Sequence, residues 1–356
     1  MLGSLTSFAI LNTKLNTNHE CEDAPIMADI VIGIGTSHSP LLTLDGARWA
    51  ERAADDLRNQ RLNMSDGRWV SYEQLAAAVE NRYASVSTTE HFVAKAGICR
   101  TALDRIAADL ATAAPDVVVI VGDDQDELFS LSNMPALSIF YGDQVVTRHR
   151  QVGAASPSWL PTVVKGYAMD EAHVFPGAPA FALDLIKGLM ARSVDVGAAA
   201  KVDDPRVAGF GHAYGFVVKR LFGGRAIPIV PVMLNTYFPP NVPTPARCHD
   251  IGQALRAAIE ASPMALRVAV VASGGLSHFV VDEALDRQVI DALVAADAQA
   301  LRGLPVGALN AGSSEIRNWI AVAGAIEGLQ NRWLEYQPLY RTPAGTGIGV
   351  AFSVWS

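Results

Sequence analysis

Cysteine is scarce. Three occur in 356 residues, Cys21, Cys99 and Cys248, far apart and in no Cys-x-x-Cys spacing. So odd and scattered a set excludes a disulfide framework and a zinc knot, and it predicts a reducing, cytoplasmic location. No apolar run reaches the length of a membrane span, so no membrane partner is expected. Basic clusters are missing too. Lys and Arg number 28 against 36 Asp and Glu, a net charge of −8, which argues against a nucleic-acid partner. The Gly/Thr-rich tail from Arg341 to Gly349 lacks the Gly-Lys-Ser/Thr of a P-loop. What remains is a chain that is half hydrophobic, ample for one large core. Residues 1–26 differ, being rich in Asn, Thr and Ser without the sustained apolar region of a signal peptide. They read as a disordered extension or a misassigned start, which leaves 27–356 as a single domain.

Apolar, β-branched runs at Asp29–Gly35, Asp116–Gly122, Ile227–Leu234 and Leu266–Val271 read as buried strands. Ala136–Tyr141, Ser193–Gly197 and Val350–Phe352 add shorter ones. Between them, Asp45–Asn59, Trp69–Glu80, Thr88–Ala113, Phe181–Arg192, Cys248–Ala261 and Val281–Leu301 read as helices. In Thr88–Ala113 the spacing of Val93, Ile98, Leu103, Ile106 and Leu110 predicts the buried face, with Thr88 or Thr89 as cap. Ser313 or Ser314 is expected to cap a helix with Glu315 in its first turn. Gln151–Ala178, interrupted by Pro and Gly, is expected to be a lid or binding loop. Strands alternating with helices predict an α/β fold, three layers α/β/α around a central mixed, mostly parallel sheet.

Reactive side chains gather where these runs end. Gly35-Thr36-Ser37-His38 and Gly274-Gly275-Leu276-Ser277-His278 both leave a strand through glycine and present Ser-His. Histidine titrates near neutrality, so it suits acid–base work. Gly211-His212 opens a helix, whose positive end favours the neutral imidazole. Asp123-Asp124-Gln125-Asp126-Glu127 crowds four carboxylates at another strand end, which calls for a positive partner. His91 and His249 read as structural. Two histidines and a carboxylate around a divalent metal with open positions is the ligand set of non-haem Fe(II) oxygenases. On the residues alone, a structural role stays open at each position.

Five motifs, in order, resemble those of the class III extradiol ring-cleavage dioxygenases: Gly35–Pro40, Val119–Gln125, Gly211–Ala213, Gly274–His278 and Ser314–Trp319. Protocatechuate 4,5-dioxygenase (its catalytic subunit) and the gallate and 3-O-methylgallate dioxygenases are of this kind. The resemblance runs from Met27 to the C-terminus. It implies an Fe(II) enzyme that opens the ring of a catecholic aromatic acid with O2, working as a homo-oligomer of two or more chains. It implies His38 and Glu315 as metal ligands, His278 as the acid–base residue and His212 as the pocket residue bonding a substrate hydroxyl. The family's second histidine ligand comes from the strand-end turn, where this chain has Gln125. Either Gln125 ligates, or Asp124 or Glu127 does so instead, or water intervenes. Arg317, Arg341, Gly345 and Thr346 are the candidates for binding the substrate's acid group. The substitution at Gln125 keeps two further readings open: a Zn-type hydrolase or C–C lyase on the same scaffold, and an inactive partner subunit.

Overall fold

The computed structural model describes residues 27–356, and the expectation for residues 1–26 lies outside them. The Val/Ile-rich runs form the middle of a nine-stranded sheet. In chain order its strands are β1 (Asp29–Thr36), β2 (Val117–Asp123), β3 (Leu137–Phe140), β4 (Gly197–Ala199), β5 (Ile229–Leu234), β6 (Arg267–Ser273), β7 (His278–Val280), β8 (Asn331–Tyr340) and β9 (Thr346–Trp355). At the centre β1, β6, β2 and β5 lie side by side and parallel. Toward the edges the sheet turns antiparallel, with β3 on β5 and β9 on β1. The carboxyl ends of the parallel quartet therefore open on one edge, the place where such sheets hold ligands.

The register of β9 completes that edge. β8 pairs along nearly all of β9, so β1 and β7 share its other side in tandem. Thr36 faces Phe352 and His278 faces Ile348. The short β7 thus sits just past the end of β1, which brings His278 to the spot where His38 emerges.

Both faces are covered. Along β2, Val117, Val119 and Val121 join one core while Val118 and Ile120 join the other, as the two-residue period of a strand requires. The first core is closed by Leu185, Leu255, Val289 and Ile320, from the helices Pro179–Met190, Pro245–Glu260, Glu283–Val294 and Ile316–Ala325. The second is closed by Ile106 and Val217, from Thr89–Ala113 and His212–Leu221. Each large apolar side chain so buried contributes roughly 1.5–3 kcal/mol. The result is the expected three-layer α/β/α arrangement.

Several elements depart from the sequence expectation. Thr88 caps the Thr89–Ala113 helix, but the buried stripe is Phe92, Ala96, Cys99, Leu103, Ile106 and Leu110. Val93 and Ile98 are 51% and 40% exposed, because the stripe runs through small residues that a search for large ones passes over. The Val281–Leu301 run is two helices, Glu283–Val294 and Ala298–Arg302, parted where Ala296 takes a φ of 52°. Gln151–Ala178 is not structureless: it holds the helix Leu160–Gly166 and the strand Val174–Pro176, paired with Gln144–Val146. The strand expected at Ser193–Gly197 begins only at Gly197, and the helix expected from Trp69 begins at Tyr72. β8 gave no sequence signal, since most of its residues on both faces are only half-buried.

Candidate metal centre and active site

His38 leaves β1 two residues past its end and is buried. Its Nδ1 lies 2.9 Å from Ser273 Oγ, at the end of neighbouring β6. The Ser273 hydroxyl donates its one proton to the Ala213 carbonyl at 2.7 Å. A carbonyl can only accept, so Ser273 Oγ must accept from His38 Nδ1–H. The proton on Nδ1 leaves Nε2 with a free lone pair. That atom is fully buried without a hydrogen-bond partner among the described residues. It lies 3.5 Å from Glu315 Oε2.

Glu315 ends a 3-10 turn, Ala311–Glu315, and leads into the Ile316–Ala325 helix. Neither expected serine caps that helix. Ser313 Oγ instead bonds the backbone N–H and carbonyl of His278, both at 3.0 Å, and Ser314 Oγ donates to Thr236. The Glu315 carboxylate accepts from Gly275 N–H at 2.6 Å through Oε2, and its Oε1 lies 3.3 Å from His278 Nε2. Burial opposes its charge, yet the imidazoles of His278 and His38 hold its pKa well below the usual carboxylate value.

His278 is held in the same way as His38. Its Nδ1–H donates to the Leu276 carbonyl at 2.8 Å, so the nitrogen facing Glu315 and the cavity is the one that gains and loses a proton. Burial works against its protonated form, but Glu315 outweighs it and raises the pKa. Behind it Ser277 is fixed to buried Asp286 through its N–H (2.7 Å) and hydroxyl (2.8 Å), and Tyr336 donates to the same carboxylate at 2.7 Å.

One ligand atom from each of His38, Asp123, His212 and Glu315 lies within 4.8 Å of every other. His212 gives Nδ1 to Glu127 at 2.8 Å, which leaves Nε2 as its free nitrogen. Burial disfavours its charge, but Glu127, Asp123 and Glu315 together lift its pKa to about 10. Burial and the nearby Glu315 raise that of Asp123. Two carboxylates and two imidazoles thus converge from four elements, with Glu127 behind His212. Such a nitrogen and oxygen donor set suits a divalent cation, and the buried lone pair of His38 Nε2 meets no donor among the described residues. The residues fit a metal.

Gln125 has a different place. Its Nε2 donates to Asp123 Oδ2 at 2.9 Å and to Glu315 Oε1 at 3.3 Å, so its amide steadies two carboxylates of the cluster. A charged carboxylate only accepts, which makes the group facing Glu315 the NH2. Asp124 is turned away, accepting from the backbone N–H groups of Glu127, Leu128 and Phe129. Asp123 and Ser273 are the members that the sequence did not single out. Asp123 was one of four acids in a five-residue turn, and Ser273 had no motif of its own.

His38, His212 and Glu315 of the cluster, with His278, form the floor of a cavity of about 700 Å³. Of the residues expected to bind an acid group, Arg317 is not on it: the buried guanidinium donates to the carbonyls of Pro243 and Leu309 behind the helix. Arg341 does line it, with its guanidinium on Asp56. Thr346 Oγ1 donates to the same Asp56 at 2.8 Å. Gly345, at a φ of 88°, packs against Tyr83 and does not line the cavity.

A parallel sheet edge carrying two histidines that both turn Nε2 toward one carboxylate is a site that could hold a metal, and sequence comparison gives its family. Residues 94–351 match the family described as the catalytic LigB subunit of aromatic ring-opening dioxygenase, and the chain belongs to it. The matched stretch holds His212, His278 and Glu315, while His38 precedes it. Gallate dioxygenase of Pseudomonas putida is 36% identical over 135 residues, 34% of this chain and 38% of that protein. The 2,3-dihydroxyphenylpropionate/2,3-dihydroxicinnamic acid 1,2-dioxygenase of Mycobacterium ulcerans is 29% identical over 185 residues, 49% of this chain and 50% of that protein. The chain thus matches half or less of the length of these relatives. Among the described residues no helix is long and apolar enough to cross a membrane.

Proposed function

We propose that the chain is an extradiol dioxygenase that opens the ring of a catecholic aromatic acid with O2, using Fe(II). The observation that carries this reading is the Glu315 carboxylate, with the free Nε2 of His38 at one oxygen and Nε2 of His278 at the other. His38 and Glu315 would hold the metal, with His212 and Asp123 within reach to complete its protein ligands. When bound, Fe(II) would bring catechol and O2 together and pass electrons between them. The remaining work falls to the chain. His278 Nε2 takes the proton of a catechol hydroxyl, and the Leu276 carbonyl on Nδ1 stabilises the imidazolium so formed. Returning that proton later in the cycle restores the neutral ring. Gln125 bridges the two carboxylates beside it by donating to both, which offsets their repulsion.

The test is anaerobic loading with Fe(II), followed by oxygen uptake with a panel of catechols. Uptake with formation of a yellow ring-opened product is expected; none across the panel would overturn the reading. A donor set with two carboxylates also suits Zn²⁺ and hydrolytic or C–C bond-cleaving chemistry. Metal content of protein purified without added metal separates the two.

A further inference from the structure

The cavity wall carries a second cluster, away from the metal ligands. Asp56 is 1% exposed, and its carboxylate accepts from Arg341 at 2.7 and 3.1 Å, from Thr346 at 2.8 Å and from Arg52 at 3.1 Å. Two guanidiniums thus share one buried carboxylate. Among the described residues the other acid near Arg52 is Asp55, at 3.8 Å, which also accepts from Trp159 and Arg58. Both arginines line the cavity. The Arg52 guanidinium is further held over the Trp159 ring, 5.5 Å from its centroid. Among the described residues only Nη1 of Arg52 donates to a carboxylate, and Arg52 lines the cavity, so its guanidinium has donors left for an anion.

A second observation points the same way. Tyr167 also lines the cavity, is 6% exposed, and its hydroxyl has no hydrogen-bond partner among the described residues. Its ring packs against His212, with centroids 5.5 Å apart, so the orphaned donor stands beside the metal cluster. A buried hydroxyl without a partner costs about 1–3 kcal/mol unless something accepts from it. A carboxylate entering the cavity would accept from it and could pair with the Arg52 guanidinium on the same lining.

We propose that Arg52 and Tyr167, with Arg52 held in place by Asp56 and Trp159, form the seat of the substrate's carboxylate. The enzyme would then select a catechol carrying a ring carboxylate over catechol itself. The proposal rests on the ring-opening reading for its chemistry, but the seat is testable apart from it.

The Fe(II)-loaded full chain is assayed with 3,4-dihydroxybenzoate and with catechol. Wild type is expected to favour the acid. In Arg52→Met and in Tyr167→Phe the ratio of kcat/KM for acid over catechol falls by about tenfold or more, mostly through KM, as loss of a hydrogen bond to a charged group predicts. Arg52→Lys, keeping the charge, recovers part of the ratio. An unchanged ratio in both variants overturns the proposal. Binding is measured separately by calorimetry on the wild-type chain with benzoate and with benzamide, which differ in charge and not in shape. Tighter binding of benzoate is expected, and equal binding overturns the seat even where no catechol is turned over. Absence of oxygen uptake with every catechol would instead overturn the ring-opening reading.

Discussion

Ser273→Ala isolates the device that sets the His38 tautomer. The hydroxyl is fully buried, accepts from His38 Nδ1 at 2.9 Å and donates to Ala213 O at 2.7 Å. Alanine removes one oxygen and leaves two buried groups unpaired, each costing about 1–3 kcal/mol. It also removes the reason for the proton to sit on Nδ1. Moving that proton to Nε2 lets the ring donate toward Glu315 Oε2, 3.5 Å away. The atom needed as a ligand would then carry hydrogen. Loss of such an orienting partner weakens metal binding by about 10–100-fold. Metal affinity is read by chelator competition, and thermal melting of the metal-free protein reports the structural cost alone. Both should fall. A lower melting temperature with unchanged metal affinity would refute the tautomer reasoning and leave Ser273 a purely structural residue.

Other outcomes follow from the same geometry. His278→Gln should lower turnover by about 10²–10⁴-fold while metal content measured by elemental analysis stays at the wild-type level; loss of metal in parallel would make His278 a ligand. Gly349→Ala places a Cβ 1.9 Å from Asp286 Oδ2, so a loss of about 1–3 kcal/mol is expected in urea denaturation, and full stability would refute the close approach. Burial pushes the Asp286 pKa up to about 6. The folded state therefore holds this proton through a window in which the unfolded chain, titrating near ~3.9, has released it. The contribution is whole below the unfolded value and is lost as pH rises through about 6. Asp286→Asn should flatten its share of the fall in urea midpoint between pH 4.5 and 7 (on the order of one proton); Asp124, also pushed up to about 6, keeps its own. Identical slopes in variant and wild type would count against the assignment.

The strand ends were legible in the sequence because glycine and Ser-His interrupt clean apolar runs at His38 and His278. Glu315 was legible from its motif, although the serines before it bond elsewhere and cap nothing. The helix stripe at Phe92–Leu110 was misread because Ala96 and Cys99 carry it. Arg341, expected at the substrate, does line the cavity, but its setting was not legible. Asp56 meets Arg341 across 285 residues of chain, and no local pattern in a charged helix announces such a pair. Arg317 misled for the converse reason: its place in a motif gave no hint that it would turn toward two carbonyls. Gln125 stands where a ligand was expected, and only the three-dimensional arrangement shows its amide donating to Asp123 and Glu315.

Glycines pack tightly against His278 and against the carboxylate that holds His212. A Cβ on Gly312 would lie 1.9 Å from His278 Cδ2, and one on Gly275 3.0 Å from its Cε1. On Gly211 it would lie 1.5 Å from Glu127 Oε2. The floor of the site is therefore closed to gradual change, since the smallest substitution there displaces a catalytic ring or its carboxylate. The wall offers residues of graded size and charge, among them Arg52, Tyr167, Arg150 and Tyr237. A lineage exploring new ring substituents, or an engineer doing so by saturation libraries, has its working alphabet at the wall, while the floor admits one letter.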